Sequence, residues 1–426
     1  MLEIAERLET AGHEAWCVGG AVRDALLGHE HLDWDLATSA RPDEVRALFK
    51  RTVPVGVEFG TVGVLDRAGT MHEVTTFRRD VRTDGRHAVV EFGVSLDDDL
   101  ARRDFTINAI AYSPSRDELR DPFDGRGDLE RRMVRAVGDP EARMREDRLR
   151  ALRALRFAAR FEFAIEPATW RAIAASGPHL GRLSAERVKQ EIEKTMEQVR
   201  RPSLAFRLWR DGRAFATLLP ALAAISDVAL GTLDQVPPPT ALRDLRRLTR
   251  LAALFLDVPP TEVGSLLRAL RFSNQDVARV GTLVERWHAL GAAIAAALRA
   301  GPPPDADVRR WVAAVGRERV GAFVRLAAAR WAAERAAGAP APPALRVAAL
   351  YRRAIRSAFR DPVGLGDLAV DGADLQDAGI PPGPLLGRIL HALLDEVLDD
   401  PSRNRRDLLL ARALELFARG RTSEDE

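Results

Sequence analysis

VGGAVRD at residues 18–24 and LDWDLAT at 32–38 decide how the first part of the chain folds. Ala15–Val18 reads as a strand, and Gly19 and Gly20 separate it from a helical pattern over Ala21–Leu27. Such a turn aims backbone N–H groups and a helix start at an anion, and Arg23 adds a forked donor. A tight turn serving packing alone is the other reading. On a strand over Leu32–Leu36, Asp33 and Asp35 share one face, about 7 Å apart at Cα. Two like charges side by side are unfavourable unless a cation lies between them. Hard oxygen ligands beside a phosphate-type turn select Mg²⁺ over zinc. Alone, the two carboxylates would read as a solvated strand end; behind the Gly19–Gly20 turn they read as metal ligands.

Outward from this centre, Thr61–Leu65, His72–Phe77 and Met133–Val137 read as strands, and Asp43–Phe49 as a helix. Glu73, on the His72–Phe77 strand, is the candidate third carboxylate, with Asp104 in competition. From Asp139 onward the pattern is almost purely helical, broken at Pro-rich stretches such as 236–240, 258–260 and 301–304. The expected fold class is α+β: a mixed head over 1–138, then helical segments over 139–212, 213–300 and 301–426.

The composition of the 426-residue chain excludes several classes. Hydrophobic residues make up 46% and charged residues 30%, which permits a packed core and excludes global disorder. One cysteine, Cys17, allows no intramolecular disulfide or Cys-based zinc finger and fits a reducing, cytoplasmic compartment. Met1–Glu14 reads as an amphipathic helix without the basic start and apolar core of a signal peptide. The longest apolar run, Ala289–Leu298, is about half of the ~20 residues that span a bilayer. The net charge is only +2, but of 64 basic residues only Lys50, Lys189 and Lys194 are lysines. His13, His29, His31, His72 and His87 show no metal-ligand spacing and read as surface or structural.

Basic residues concentrate in Glu141–Arg160, which holds seven arginines against three acids. Leu149, Leu152, Leu155 and Phe157 give this segment a buried side. Asp147, Arg150, Arg153 and Arg156 advance in steps of three, and residues three apart are neighbours on a helix. Each step turns about 60° about the axis, so the row spirals and suits one substrate lying obliquely across it.

The head resembles the family of class II tRNA nucleotidyltransferases and bacterial poly(A) polymerases, within the polymerase-β-like superfamily. The resemblance rests on VGGAVRD (18–24), DWDLAT (33–38), EVTTFRRD (73–80), RRDFTINAIAY (102–112), DPFDGRGDLERR (121–132) and REDRLRALRALRFAAR (145–160). It implies a nucleotidyltransferase head, a neck that recognises the base, a helical body and a tail that binds tRNA. It also implies two-metal transfer of C, C and A from CTP and ATP to the tRNA 3′ end, with Asp33 and Asp35 as metal ligands. Family resemblance assigns base reading to Asp147 and Arg150, and triphosphate and ribose contacts to Arg23, Arg103, Arg153 and Arg156, beside Gly20. A carboxylate acceptor next to a guanidinium donor suits the amine and ring nitrogen shared by cytosine and adenine, and leaves polar groups mismatched against guanine and uracil.

Asp80–Phe92 reads as a polar loop, which in the family accompanies addition of the final A. Poly(A) polymerase and A-only or CC-only activities are the alternatives, and a silent RNA-binding relative is a further one. The stretch Val55–Thr61 is more similar to the CCA-adding branch. Leu251–Asp257 lacks the His-Asp pair of relatives that carry a phosphohydrolase, so none is expected. No obligate protein partner and no membrane association is expected either.

Overall fold

The computed structural model describes residues 1–29, 34–83, 88–236 and 243–422, and the chain divides into two compact units, Met1–Ala224 and Ile225–Glu426. The first unit begins with α1 (Leu2–Thr10), β1 (Ala15–Val18), α2 (Gly20–Leu26), β2 (Asp35–Thr38) and α3 (Pro42–Leu48). It continues through β3 (Thr52–Gly56), β4 (Thr61–Leu65), β5 (Met71–Thr76), β6 (Arg78–Thr83) and β7 (Ala88–Phe92) to α4 (Leu96–Ala101), β8 (Ala111–Ser113) and β9 (Glu118–Arg120). Seven strands form one sheet in the order β3-β4-β5-β2-β1-β8-β9. All its pairs are antiparallel except β2 with β5.

Burial explains this order. Every residue of the central β1 is buried, whereas β9 at one edge is exposed throughout. β3 holds the other edge and contains Pro54, which has no N–H to give to a further strand. Trp16, Val18 and Ala37 pack with Phe77, Leu96 and Leu100 into a core that seats α4 on the sheet. Cys17 is buried in β1, and burial pushes its thiol pKa up to about 12.

Three sequence expectations change in extent. The polar loop expected over Asp80–Phe92 is largely a hairpin, β6 paired antiparallel with β7, with a bulge between Asp80 and Arg82. Its backbone groups bond to one another, which alternating polarity alone did not reveal. The strand expected over Met133–Val137 shortens to β10 (Met133–Val134), and Ala136 instead makes an isolated bridge to Phe105. The strand carrying the two carboxylates is described from Asp35 to Thr38; Leu32 and Asp33 lie outside the described residues.

After α5 (Gly125–Glu130) and β10 the unit turns helical: α6 (Pro140–Glu146), α7 (Leu149–Phe161), then the short β11 (Ala164–Ile165), which pairs parallel with β10. α8 (Pro167–Ser176), α9 (Ala185–Gln198), α10 (Pro202–Asp211) and α11 (Ala214–Leu218) complete it. Asp139 caps α6 by accepting from the Glu141 N–H at 3.0 Å, with Pro140 pre-set for the first helical position. α7 packs on α9 and α10, so it is buried on nearly all sides, including Arg150 and Arg156.

The second unit is helical throughout its described residues. It comprises α12 (Asp227–Gln235), α13 (Arg243–Leu254), α14 (Pro260–Ala269), α15 (Asn274–Ala300), α16 (Asp305–Val315), α17 (Val320–Ala336), α18 (Ala344–Arg360), α19 (Gly372–Asp377), α20 (Pro384–Asp399) and α21 (Arg406–Thr422). The apolar run Ala289–Leu298 lies within α15, and no described helix is long and apolar enough to cross a membrane. Asp257 accepts from Arg330 at 2.9 and 3.0 Å.

Phe206, Trp209 and Phe215 form a fully buried aromatic cluster beneath the helices of the first unit, with Trp209 and Phe215 centroids 5.5 Å apart. Among the described residues the Trp209 indole N–H has no hydrogen-bond partner. Trp209→Ala is therefore expected to destabilise the chain by about 3–5 kcal/mol. Trp209→Phe, which also removes the unbonded donor, should cost less than half of that, as read from denaturant unfolding of both variants.

Candidate active site

The β1–β2 register sets Val18 opposite Asp35, so the turn leaving β1 emerges beside the first described carboxylate. At that turn Gly19 takes φ +73°, and a Cβ there would stand 2.8 Å from Arg103 Nη1. Glycine thus allows both the turn and the close approach of the Arg103 guanidinium. Next to it opens a cavity of about 400 Å³. Its walls include Gly20, Arg23, Asp35, Arg103, Arg153 and Arg156, residues far apart in sequence that the fold brings together.

Each guanidinium has a carboxylate or amide behind it. Arg23 Nε donates to Asp24 Oδ1 at 2.7 Å, and its Nη1 donates to the Asn108 side chain. Burial lowers the Arg23 pKa, and the Asp24 charge opposes that shift. Arg103 Nη2 donates to Asp99 Oδ2 at 3.2 Å. Arg153 Nε donates to Asp104 Oδ2 at 2.8 Å, and the Asp104 charge holds the Arg153 pKa above its ordinary value. Arg156 Nε donates to Glu191 Oε2 at 2.7 Å; burial lowers its pKa and Glu191 opposes the shift.

Asp104, the competing third carboxylate, is committed to this scaffold. Its Oδ1 accepts from Asn108 Nδ2 and from the Phe105 N–H, both at 2.9 Å. Burial by itself would raise its pKa, but the Arg153 charge and these bonds hold the carboxyl below the ordinary carboxylate range. Glu73 is placed differently. Ala37 pairs with Thr75 across β2 and β5, so alternation sets Glu73 on the face that Asp35 occupies. Glu73 is exposed and does not line the cavity. Asp33 lies outside the described residues.

Asp147 and Arg150 do not line the cavity; the Arg150 N–H donates to the Asp147 carbonyl at 3.1 Å, and their side chains turn to other partners. Asp147 ends α6 and accepts from the Leu149 N–H at 3.0 Å and from Arg187 Nη2 at 2.6 Å. Arg150 donates to Glu146 Oε2 at 2.6 Å, to the Arg143 carbonyl at 3.2 Å and to the Arg102 carbonyl at 3.0 Å. The last of these bonds ties it to the cavity wall, and the Asp147 charge reaches Arg153.

Sequence reasoning missed several residues of the wall and its support. Arg160 lines the cavity and donates to Asp24 at 3.1 Å; extending the arginine row by four residues would have found it. Asn108 and the supporting acids Asp24, Asp99 and Glu191 gave no independent signal. Neither did Lys194 and Gln198, which come from α9.

Comparison with known proteins matches residues 15–135 to the family described as "Poly A polymerase head domain" and 162–226 to "Probable RNA and SrmB- binding site of polymerase A". The CCA-adding enzyme of Geobacillus kaustophilus is 36% identical over 430 residues, covering 99% of this chain and 97% of the relative. That of Lactobacillus delbrueckii is 33% identical over 413 residues, covering 95% and 94%. The crystal structure of the Bacillus stearothermophilus CCA-adding enzyme in complex with CTP superposes with a TM-score of 0.76 at 35% identity, covering 100% of this chain and 98% of that one. The fold is shared as well by the Thermotoga maritima CCA-adding enzyme complexed with tRNA, at a TM-score of 0.67 and 20% identity over 97% of this chain and 94% of that one. Similarity of this extent, running from one end of the curated relatives to the other, makes the chain a member of the CCA-adding enzyme family, the tRNA nucleotidyltransferases.

Proposed function

We propose that the chain adds C, C and A to the 3′ end of tRNA from CTP and ATP, releasing pyrophosphate at each step. The carrying observation is the meeting of Asp35 and the Gly19–Gly20 turn with Arg23, Arg103, Arg153 and Arg156 around one cavity. The guanidinium groups bind the triphosphate and hold the pyrophosphate as it leaves. The RNA 3′-hydroxyl attacks the α-phosphorus; the new P–O bond forms as the bond to pyrophosphate breaks, and the hydroxyl proton passes to solvent.

Asp35 presents hard oxygen donors on the strand face that Glu73 shares, and with Asp33, two residues earlier in the sequence and outside the described residues, it would hold a divalent cation, proposed as Mg²⁺. Bound there, the cation supplies Lewis acidity at the phosphoryl oxygens and lowers the pKa of the attacking hydroxyl. Asp147 and Arg150 read the base edge without abandoning their present partners. A carboxylate offers about four lone-pair sites and a guanidinium five donors, more than their bonds to protein groups use. The cytoplasm, where tRNA, CTP and ATP occur together, is the compartment this reading implies.

Purified chain with tRNA transcripts ending before CCA, after one C and after CC should complete all three when given CTP and ATP. Long A tails, or extension of one substrate alone, overturn the assignment. Asp35→Ala should lower addition by at least ~10³-fold while tRNA affinity changes less than about threefold, because the metal site is lost and the basic surface is kept. Chelation with EDTA should stop addition, and excess Mg²⁺ should restore it. Asp147→Ala should erode discrimination against UTP and GTP by about 10²-fold, read as the ratio of kcat/KM for CTP and UTP.

A further inference from the structure

In the cavity wall the ring of Phe157 is only 5% exposed, yet three guanidinium groups stand over it. The Arg156, Arg23 and Arg153 carbons lie 4.5, 5.2 and 5.3 Å from its centroid. The Phe161 ring, 6.1 Å away and inclined by 11°, carries Arg23 at 4.7 Å and Arg160 at 4.9 Å. Phe105 meets Phe157 edge-on with centroids 5.8 Å apart, a packing contact that restrains the ring. Four cations thus share two stacked rings. A leucine would fill much of this space, but it has no electron-rich face to attract a cation.

The carboxylates alone do not orient these groups. Asp104 holds Arg153 through Nε alone, Arg156 adds to its Glu191 bond only a 3.4 Å contact from Nη1 to Gln198, and Asp24, which with Asn108 holds Arg23, is shared with Arg160. A planar fork held by one edge still swings about that contact; a ring beneath it sets its plane. Phe157 follows Arg153 by four residues on α7, where side chains are neighbours, while Arg23 arrives from α2. One ring therefore registers the arginine beside the glycine turn against two from the helical neck.

We propose that Phe157 is a positioning residue for the polyphosphate. Its π face holds Arg23, Arg153 and Arg156 in one orientation towards a triphosphate, whatever base that triphosphate carries. This rests on the reading of the cavity as the nucleotide site given above. The ring acts on the guanidinium planes and not on the base. Affinities for CTP, ATP and inorganic tripolyphosphate therefore fall together when its π face is weakened, and the preference between C and A is kept.

The test replaces Phe157 in the full chain with mono-, di- and trifluorophenylalanine, nearly isosteric rings with a progressively depleted face, alongside Phe157→Leu. Calorimetric Kd values for CTP, ATP and tripolyphosphate are measured together with Tm. The expected result is a stepwise rise in Kd with fluorine number, about tenfold at three fluorines for all three ligands, with Tm nearly constant. A Kd that stays flat across the fluorine series overturns the proposal, even where Phe157→Leu weakens binding. A rise for CTP and ATP without one for tripolyphosphate overturns it as well. Failure of the unmodified chain to extend tRNA counts against the parent reading and is scored separately from the fluorine series.

Discussion

Arg23, Arg153, Arg156 and Arg160 stand close enough that Arg160 opposes the charge on Arg23, and Arg153 and Arg160 both oppose that on Arg156. The architecture around the cavity answers that repulsion. Asp24 serves two of these arginines, Asp104 and Glu191 one each, and Asn108 bridges Arg23 to Asp104. The buried Arg156–Glu191 pair joins α7 to α9, and the Arg153–Asp104 pair joins α7 to the segment after α4. Removing Glu191 would leave the buried Arg156 without its counter-charge, a far larger penalty than the net worth of the pair. A site that binds polyphosphate must keep cations together while it is empty, and here that requirement shapes the scaffold.

The sheet and the helices divide the chemistry. The sheet contributes Asp35 and the glycine turn, positions fixed by backbone register and therefore insensitive to side-chain motion. The neck contributes forked donors on a helix buried nearly all round. That burial lowers the local dielectric and strengthens each charge–charge contact in the wall. The same burial explains why the arginine row is not simply a solvated helix face: Arg156 is almost fully enclosed.

Much of this was legible in the chain because local rules sufficed. The strand at Ala15–Val18, the Gly19–Gly20 turn and the helix after it follow from spacing alone, whereas the common face of Glu73 and Asp35 comes from the β2–β5 register. Step-of-three spacing pointed to Arg153 and Arg156, although the spiral it implied leaves Arg150 turned towards Glu146 and the Arg102 carbonyl. Partnerships across long separations were not legible. Nothing near Glu191 announces that it will face Arg156, because helix packing makes that pair and spacing does not. The β6–β7 hairpin was missed for a related reason: its strands are short and form a two-stranded sheet of their own, and the polar run of β6 hid the pairing with the apolar β7.

Cys17, the chain's one cysteine, is enclosed in the central strand with its thiol held up to about 12. At neutral pH essentially none of it is thiolate, and no reagent reaches it without opening the sheet. The native chain is therefore silent to maleimides and other alkylating probes while folded. Cysteines introduced at exposed sites on either unit would carry a fluorophore or spin label without prior removal of native sulfur. Modification of Cys17 itself would in turn report unfolding of the sheet, giving a chemical readout of head integrity independent of catalysis.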